Sequence, residues 1–223
     1  MNNRKLVIVG AGEFAEIAYE YFTYDSDYSV SAFSVEKAYM KEETLCGLPV
    51  IPFEEIYEIF PSDDHEVFVA IPASDMNQTR ARLFLESRNM GYKLASYISS
   101  KAFVWRNVII GENCFIFENN TVQPFVVVGD NVVLWSGNHI GHRTVIEANV
   151  FISSHVVVSG YCMIGENSFL GVNSTLNDNI SVAKFSVIAS GSLVNRNLVE
   201  ENKIYIGSPV KSIPGKEAKS LKL

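Results

Sequence analysis

From Ile110 onward an aliphatic residue recurs every six positions without a break: Ile110, Ile116, Val122, Val128, Leu134, Ile140, Ile146, Ile152, Val158, Ile164, Leu170, Leu176, Val182, Ile188 and Val194. Glu200 interrupts the series, Ile206 resumes it, and Ile98 and Val104 extend it backwards. The residue that follows is often small, as at Gly111, Gly129, Gly141, Ser153, Ser159, Gly165, Gly171, Ala183, Ala189 and Gly207. Two residues before the aliphatic sits a second compact or β-branched residue, such as Cys114, Val126, Thr144, Val150, Cys162, Ser168, Ser174 or Ser186. Neither the helical period of 3.6 nor the strand period of 2 generates a strict six. A parallel β-helix does. Each hexad forms one short strand and one corner, three hexads close a triangular coil, and residues three hexads apart lie one above the other. The aliphatics stack inside, and glycine or another small residue relieves crowding where the chain turns.

Composition agrees with a globular chain. Of 223 residues 48% are hydrophobic, enough to offset the ordering entropy that keeps polar chains disordered. A net charge of −7 without any dense Lys/Arg run argues against nucleic acid as a partner. No apolar run approaches the length of a membrane span, and Leu6–Val9 is too short for a signal peptide. Three cysteines (Cys46, Cys114, Cys162) fit no disulfide framework and no CxxC pair, which points to a cytoplasmic protein with reduced thiols. Residues 1–97 hold 16 acidic against 8 basic residues, whereas 98–223 hold 9 against 10. Two domains and a tail follow: 1–97, a β-helix over 98–207, and 208–223.

Lys5–Val9 has strand character and is followed by Gly10-Ala11-Gly12-Glu13-Phe14-Ala15 and a helical stretch over Glu16–Phe22. Strand, Gly-rich turn and helix together present backbone N–H groups to phosphate oxygens, and Gly10 and Gly12 would let a pyrophosphate approach. Further β/α units read at Val30–Ser34, Pro49–Ile51, Glu66–Ile71, a helix over Met76–Asn89, and Leu94–Ile98. A dinucleotide site also wants an acidic residue about 20 positions on. Ala32-Phe33-Ser34-Val35 occupies that region, so the pattern argues against NAD. Asn77 and Arg80 open the helix after the Phe68–Ile71 strand and are candidate ligand contacts, with a solvated helix face as the alternative for Arg80.

Of four histidines, His65 follows Asp63-Asp64 and reads as solvated. The spacing H-x2-H-x12-H of His139, His142 and His155 puts them near different corners of a β-helix rather than around a tetrahedral metal, so no metal is expected. His142 stands at a corner beneath Gly160, where a glycine would leave room for a ligand. His139 should point outward beside Ile140, and His155 falls at another corner.

The segments VVVGDN…NHIGHR, SSHVVVSGYCMIGENSFLGVNSTL and IYIGSPVKSI resemble the left-handed β-helix acyltransferases, in particular sugar acetyltransferases of the sialic-acid O-acetyltransferase and nucleotide-aminosugar N-acetyltransferase type. The resemblance implies a truncated Rossmann-like N-terminal domain that holds the nucleotide diphosphate of a sugar through Gly12, Glu13 and Phe14, and His142 as catalytic base. It implies acetyl-CoA in the groove between β-helices of a homotrimer, against Ser153, Gly160, Val172 and Ser190, with Lys211 and its neighbouring lysines 203, 216, 219 and 222 near the 3′-phosphate. Arg143 stands where the family often carries an acid that supports the histidine; Glu147 or another chain's carboxylate is the candidate replacement.

Direct attack of a sugar amine or hydroxyl on a thioester needs a base and oxyanion donors, for which corner amides around Ser159–Gly160 are candidates. The absence of a G-x-S-x-G elbow and the inward positions of Cys114 and Cys162 argue against covalent catalysis. The expected activity is N-acetylation of a nucleotide-linked amino sugar for surface polysaccharide. O-acetylation, a non-catalytic nucleotide-sugar sensor and a zinc hydratase are the alternatives.

Overall fold

A computed structural model describes residues 4–221. The chain divides into two compact units, the first spanning residues 1–72 and 79–97, the second 73–78 and 98–223. Residues 73–78, which the sequence assigns to the first domain, therefore belong with the second.

In the first unit β1 (Arg4–Val9), α1 (Glu13–Tyr24), β2 (Tyr28–Val35), β3 (Thr44–Leu45), β4 (Leu48–Pro52), α2 (Ile56–Ile59), β5 (His65–Val69) and α3 (Gln78–Asn89) follow in order. The sheet runs β3-β4-β2-β1-β5, parallel except for the β3–β4 hairpin. Leu6–Val9 on β1 and Val67–Val69 on β5 are at most 1% exposed, as parallel strands covered on both faces require. The order reverses between β1 and β5. Loops at the carboxyl ends of strands flanking such a switch form the ligand crevice of open α/β sheets.

The helix expected over Met76–Asn89 starts two residues later. Asp75, Met76 and Asn77 take φ of 51°, 48° and 64°, a left-handed run that breaks helical hydrogen bonding before Gln78. His65 likewise departs from expectation. It opens β5 at 9% exposure with its ring edge-on to Phe60 at 5.0 Å, and burial pushes its pKa down.

The second unit is the β-helix. Two-residue strands stack in parallel on three faces, each pairing with the strand 18 residues on: Thr121 with His139, Val127 with Val145, Val133 with Phe151. The first face contains His139–Ile140 and Val157–Val158, the second Val145–Ile146 and Met163–Ile164, the third Phe151–Ile152 and Phe169–Leu170. The hexad aliphatics fill the interior, and Ile140, Ile146, Ile152, Val158, Ile164, Leu170 and Leu176 are all 0% exposed. The second set of small residues also faces inward. Two of its polar members donate to the coil above, Thr144 Oγ1 to Ser159 O at 3.0 Å and Ser168 Oγ to Ala183 O at 3.3 Å, and Ser186 Oγ donates within its own coil to Ala183 O at 2.6 Å.

The turning residue is not the glycine that follows each aliphatic. Left-handed φ recurs every sixth position from residue 113 to 191, at Asn113, Asn119, Asn131, Asn149, Asn167, Asn173, Asn179, Gly137 and Gly191, with Phe125, Arg143, His155, Tyr161 and Phe185 filling the other places. Asparagine tolerates this conformation better than other residues with a Cβ. Gly141 serves a different end: a Cβ there would meet Ser159 C at 2.5 Å. That glycine permits close stacking of coils.

The expected tail is docked. Lys211–Glu217 pairs antiparallel with Lys203–Ile206, and Ala218 is buried beside Met76, Val187 and Ile204. Lys222 lies outside the described residues.

Candidate active site

The first-to-second-face corner carries His142 on the coil below Gly160. The His142 backbone N–H donates to Gln123 Oε1 at 2.9 Å, and ring Nδ1 lies 3.2 Å from the same oxygen. An oxygen that already accepts the backbone N–H acts as an acceptor here, so it favours the tautomer with hydrogen on Nδ1 and a lone pair on Nε2. Nε2 has no hydrogen-bond partner among the described residues. The ring is also held edge-on against Tyr161 at 5.0 Å.

Gly160 has a role other than the one expected. A Cβ at Gly160 would lie 2.6 Å from His142 Cε1 and 2.9 Å from Nε2, so the absent side chain makes room for the imidazole itself rather than for a ligand. The corner amides proposed as oxyanion donors are engaged as well: Gly160 N–H donates to Asp178 Oδ1 at 2.9 Å and Ser159 N–H to Leu176 O at 3.1 Å. Glu147 does not replace the missing acid, because its Oε2 accepts from Glu166 N–H at 2.9 Å. Arg143 instead stacks on the ring of Phe125, one coil below, at 4.5 Å. Gln123 and Asp178 escape a linear reading of the sequence. Both stand close to one coil away from the groups they bind, so the 18-residue register is the signal that finds them.

The other sequence candidates lie apart from this corner. Val172 and Ser190 are exposed at the third-to-first-face corner, where Gly191 N–H donates to Val172 O at 2.8 Å. Ser153 precedes that corner with 8% exposure. His155 shares it, its ring lying over Gly137, where a Cβ would meet its Nδ1 at 2.8 Å. Gly160 thus sits on a different edge from Ser153, Val172 and Ser190. Lys211 is exposed at the start of the last strand, with its backbone opposite Ile206. His139 lies at the outer position of its strand, and Cys114 and Cys162 are buried, with burial raising the Cys162 thiol pKa.

In the first unit Gly10 and Gly12 differ. Gly10 has φ of 134° and a Cβ there would meet Ala70 O at 2.6 Å, so this glycine lets the loops after β1 and β5 touch. Gly12 faces open space and opens α1 without a side-chain cap, leaving an uncapped first turn at the sheet's switch point. Glu13 is exposed there, whereas Phe14 is 5% exposed, its ring edge-on to Phe68, so its side chain belongs to the core. Arg80 is 0% exposed and is neither a solvated helix residue nor a surface contact: Nη1 donates to Ile71 O at 3.2 Å and Pro72 O at 3.3 Å, bracing the loop after β5. Asn77, which belongs to the second unit, is buried too, its Nδ2 3.4 Å from Asn167 O in that same unit. Among the described residues no group of three or more His, Cys, Asp or Glu side chains could hold a metal ion, and no helix is long and apolar enough to cross a membrane.

A family model described as bacterial transferase hexapeptide matches residues 107–142 and 125–160, and one described as hexapeptide repeat of succinyl-transferase matches 162–196. The matched segments, 107–160 and 162–196, coincide with the six-residue repeat. No curated protein matches the chain in sequence at a significant level. Among solved structures, similar folds include a histidine-to-asparagine mutant of perosamine N-acetyltransferase from Caulobacter crescentus, in complex with CoA and GDP-perosamine. It is 22% identical, with 94% of this chain and 96% of that chain covered and a TM-score of 0.85. The acetyltransferase domain of PglB from Neisseria gonorrhoeae is 22% identical over 95% and 100% of the two chains, with a TM-score of 0.85. WeeI from Acinetobacter baumannii is 17% identical over 94% and 100%, with a TM-score of 0.67. The hexapeptide repeats, the α/β first unit and these likenesses together make the fold a left-handed β-helix preceded by a Rossmann-like half domain.

Proposed function

We propose that the protein is an acetyl-CoA-dependent acetyltransferase acting on the amino group of a nucleotide-linked sugar, working in the cytoplasm as a homotrimer to supply surface-polysaccharide synthesis. The observation that carries this reading is His142: an exposed imidazole with Nδ1 tied to Gln123 and Nε2 open, on a hexapeptide β-helix. Nε2 takes a proton from the sugar amine as nitrogen attacks the thioester carbonyl, the tetrahedral intermediate collapses by breaking its C–S bond, and the imidazolium returns the proton to the departing sulfur, so coenzyme A leaves as its thiol. Gln123 holds hydrogen on Nδ1, so the neutral imidazole presents its lone pair on Nε2 before the attack and again after the thiol leaves. The amides of Ser159 and Gly160 are already bonded, so the oxyanion draws on donors elsewhere, including a neighbouring chain.

Nucleotide binding falls to the open turn at Gly12 and Glu13 and to the backbone around Phe14. The exposed Val172, Ser190 and Lys211 remain the coenzyme contacts. Solved neighbours support the pairing, since the Caulobacter enzyme was crystallised with CoA and GDP-perosamine and the Neisseria domain with acetyl coenzyme A. Exposed Phe103 at 53%, Ile109 at 64% and Met163 at 49% support a homotrimer, because apolar surface of this kind is covered in assemblies.

The test is release of coenzyme thiol from acetyl-CoA against UDP-, dTDP- and GDP-linked amino sugars. Turnover with one of them is expected, and His142→Ala should lower kcat on that acceptor by roughly 10²–10⁴. Release with none of them, or an unimpaired His142→Ala enzyme, would sink the reading.

A further inference from the structure

Five of the left-handed corner positions hold residues that pay for this conformation, and three of the five share one column: Phe125, Arg143 and Tyr161, on successive coils at the His142 corner. Asn179 continues that column with the residue the geometry prefers. Bulky side chains kept at a strained backbone are a pattern found at ligand sites. All three are exposed, Phe125 and Tyr161 each by 53%. Tyr161 lies edge-on to the His142 ring at 5.0 Å, and the Arg143 guanidinium carbon lies over the Phe125 ring, 4.5 Å from its centroid. A stacked guanidinium keeps its N–H edges free to pair with a planar oxyanion. Among the described residues no carboxylate pairs with Arg143, so a bare cation adjoins the base.

We propose that Phe125, Arg143 and Tyr161 form the wall that reads the acceptor sugar, and that Arg143 pairs with a carboxylate on that sugar. This rests on the acetyl-transfer reading above. A free amino sugar is an ammonium ion, which a bare guanidinium beside His142 repels. A carboxylate on the same sugar turns that repulsion into attraction and orients the ring, the tyrosine and phenylalanine covering its apolar face. Phosphates of the coenzyme are the other source of an oxyanion, and the experiment separates the two.

Wild type, Arg143→Asn and Tyr161→Asn are compared by calorimetry for binding of UDP-glucosamine and UDP-glucosaminuronate, by thermal melting, by sedimentation, and by thiol release with acetyl-CoA and with acetyl-pantetheine, which lacks the nucleotide phosphates. Wild type should bind the uronate roughly ten- to a hundredfold more tightly than its neutral partner, and Arg143→Asn should erase that preference. Asparagine suits the backbone, so melting should hold or rise in both variants, with the oligomeric state unchanged. Tyr161→Asn should weaken both ligands and keep the preference for the uronate. The Arg143→Asn defect should be the same with either thioester.

Equal binding of the two sugars by wild type, no binding of either, an Arg143→Asn defect confined to acetyl-CoA, or a variant that dissociates would each overturn the proposal. Selective binding of the uronate without thiol release leaves the proposal standing and removes acetyl transfer. Release without uronate preference does the reverse.

Discussion

At the residue scale the site turns on one imidazole and one carboxamide. Gln123 accepts from both the backbone and the ring of His142, so its removal frees the ring to rotate and to exchange tautomers. Gln123→Ala should lower kcat on the order of 10- to 100-fold with little change in acceptor KM, whereas Gln123→Glu should retain activity and shift the pH profile, because a carboxylate still accepts from Nδ1. Loss in KM alone would show that Gln123 binds substrate rather than positioning the base. The two glycines of the first turn separate in the same way. Gly10→Ala forces a Cβ into Ala70 O at an unfavourable φ and should cost about 1–3 kcal/mol in denaturant unfolding. Gly12→Ala meets nothing within 4 Å, so stability should hold while nucleotide affinity, read by calorimetry, falls.

At the element scale the coil is the unit. Ile140 is fully buried in the stacked column, and Ile140→Ala should cost about 2–5 kcal/mol by denaturant unfolding, since neighbouring coils are hydrogen-bonded above and below and cannot collapse into the void. At the corners, Asn179→Ala should cost about 1–2 kcal/mol, whereas Asn177→Ala, two residues earlier and outside the left-handed series, should be close to neutral. Strand β5 adds a pH dependence. Burial holds the His65 pKa below its unfolded value of about 6.5, so the unfolded chain binds the proton more readily. Its contribution is complete above about pH 6.5 and is lost as pH falls toward the folded value. Melting temperatures at about pH 7.5 and 5.5 should diverge less in His65→Phe than in wild type; an equal drop in both would place the acid sensitivity elsewhere.

At the scale of the whole molecule the charge is divided. The acidic excess lies in residues 1–97, the same segment that holds the open turn at Gly12, so the nucleotide proposed to bind there would be held by local amides against an unfavourable long-range field. Raising salt should therefore strengthen nucleotide binding or leave it unchanged, and a marked weakening in calorimetry would show that exposed lysines carry the affinity. The apolar residues exposed on the β-helix call for a partner of the same kind. In the proposed homotrimer Ile109→Asp and Met163→Asp together should shift sedimentation from trimer toward monomer and reduce turnover along with it.

The repeat alone determined the β-helix, because a strict six is imposed by one covalent period and every interior aliphatic from Ile116 to Val194 is buried. The parallel strands around the Gly10–Gly12 turn were legible for the same reason: runs such as Leu6–Val9 encode burial locally. What the period could not tell is which residue bends the chain, since Asn and Gly both recur and only the dihedral angles assign the turn to Asn113, Asn131 or Asn149 and close coil stacking to Gly141. His142 was visible as a corner histidine, yet Gln123, Asp178 and the stacking of Arg143 on Phe125 are contacts between coils. His65 read as solvated and Arg80 as a ligand contact or a solvated helix residue in the linear chain, and packing buried them both. Local chemistry repeats along a sequence and is read from it; partners brought together by 18-residue stacking or by a sheet's reversal depend on where distant backbone lies, which the tertiary structure alone decides.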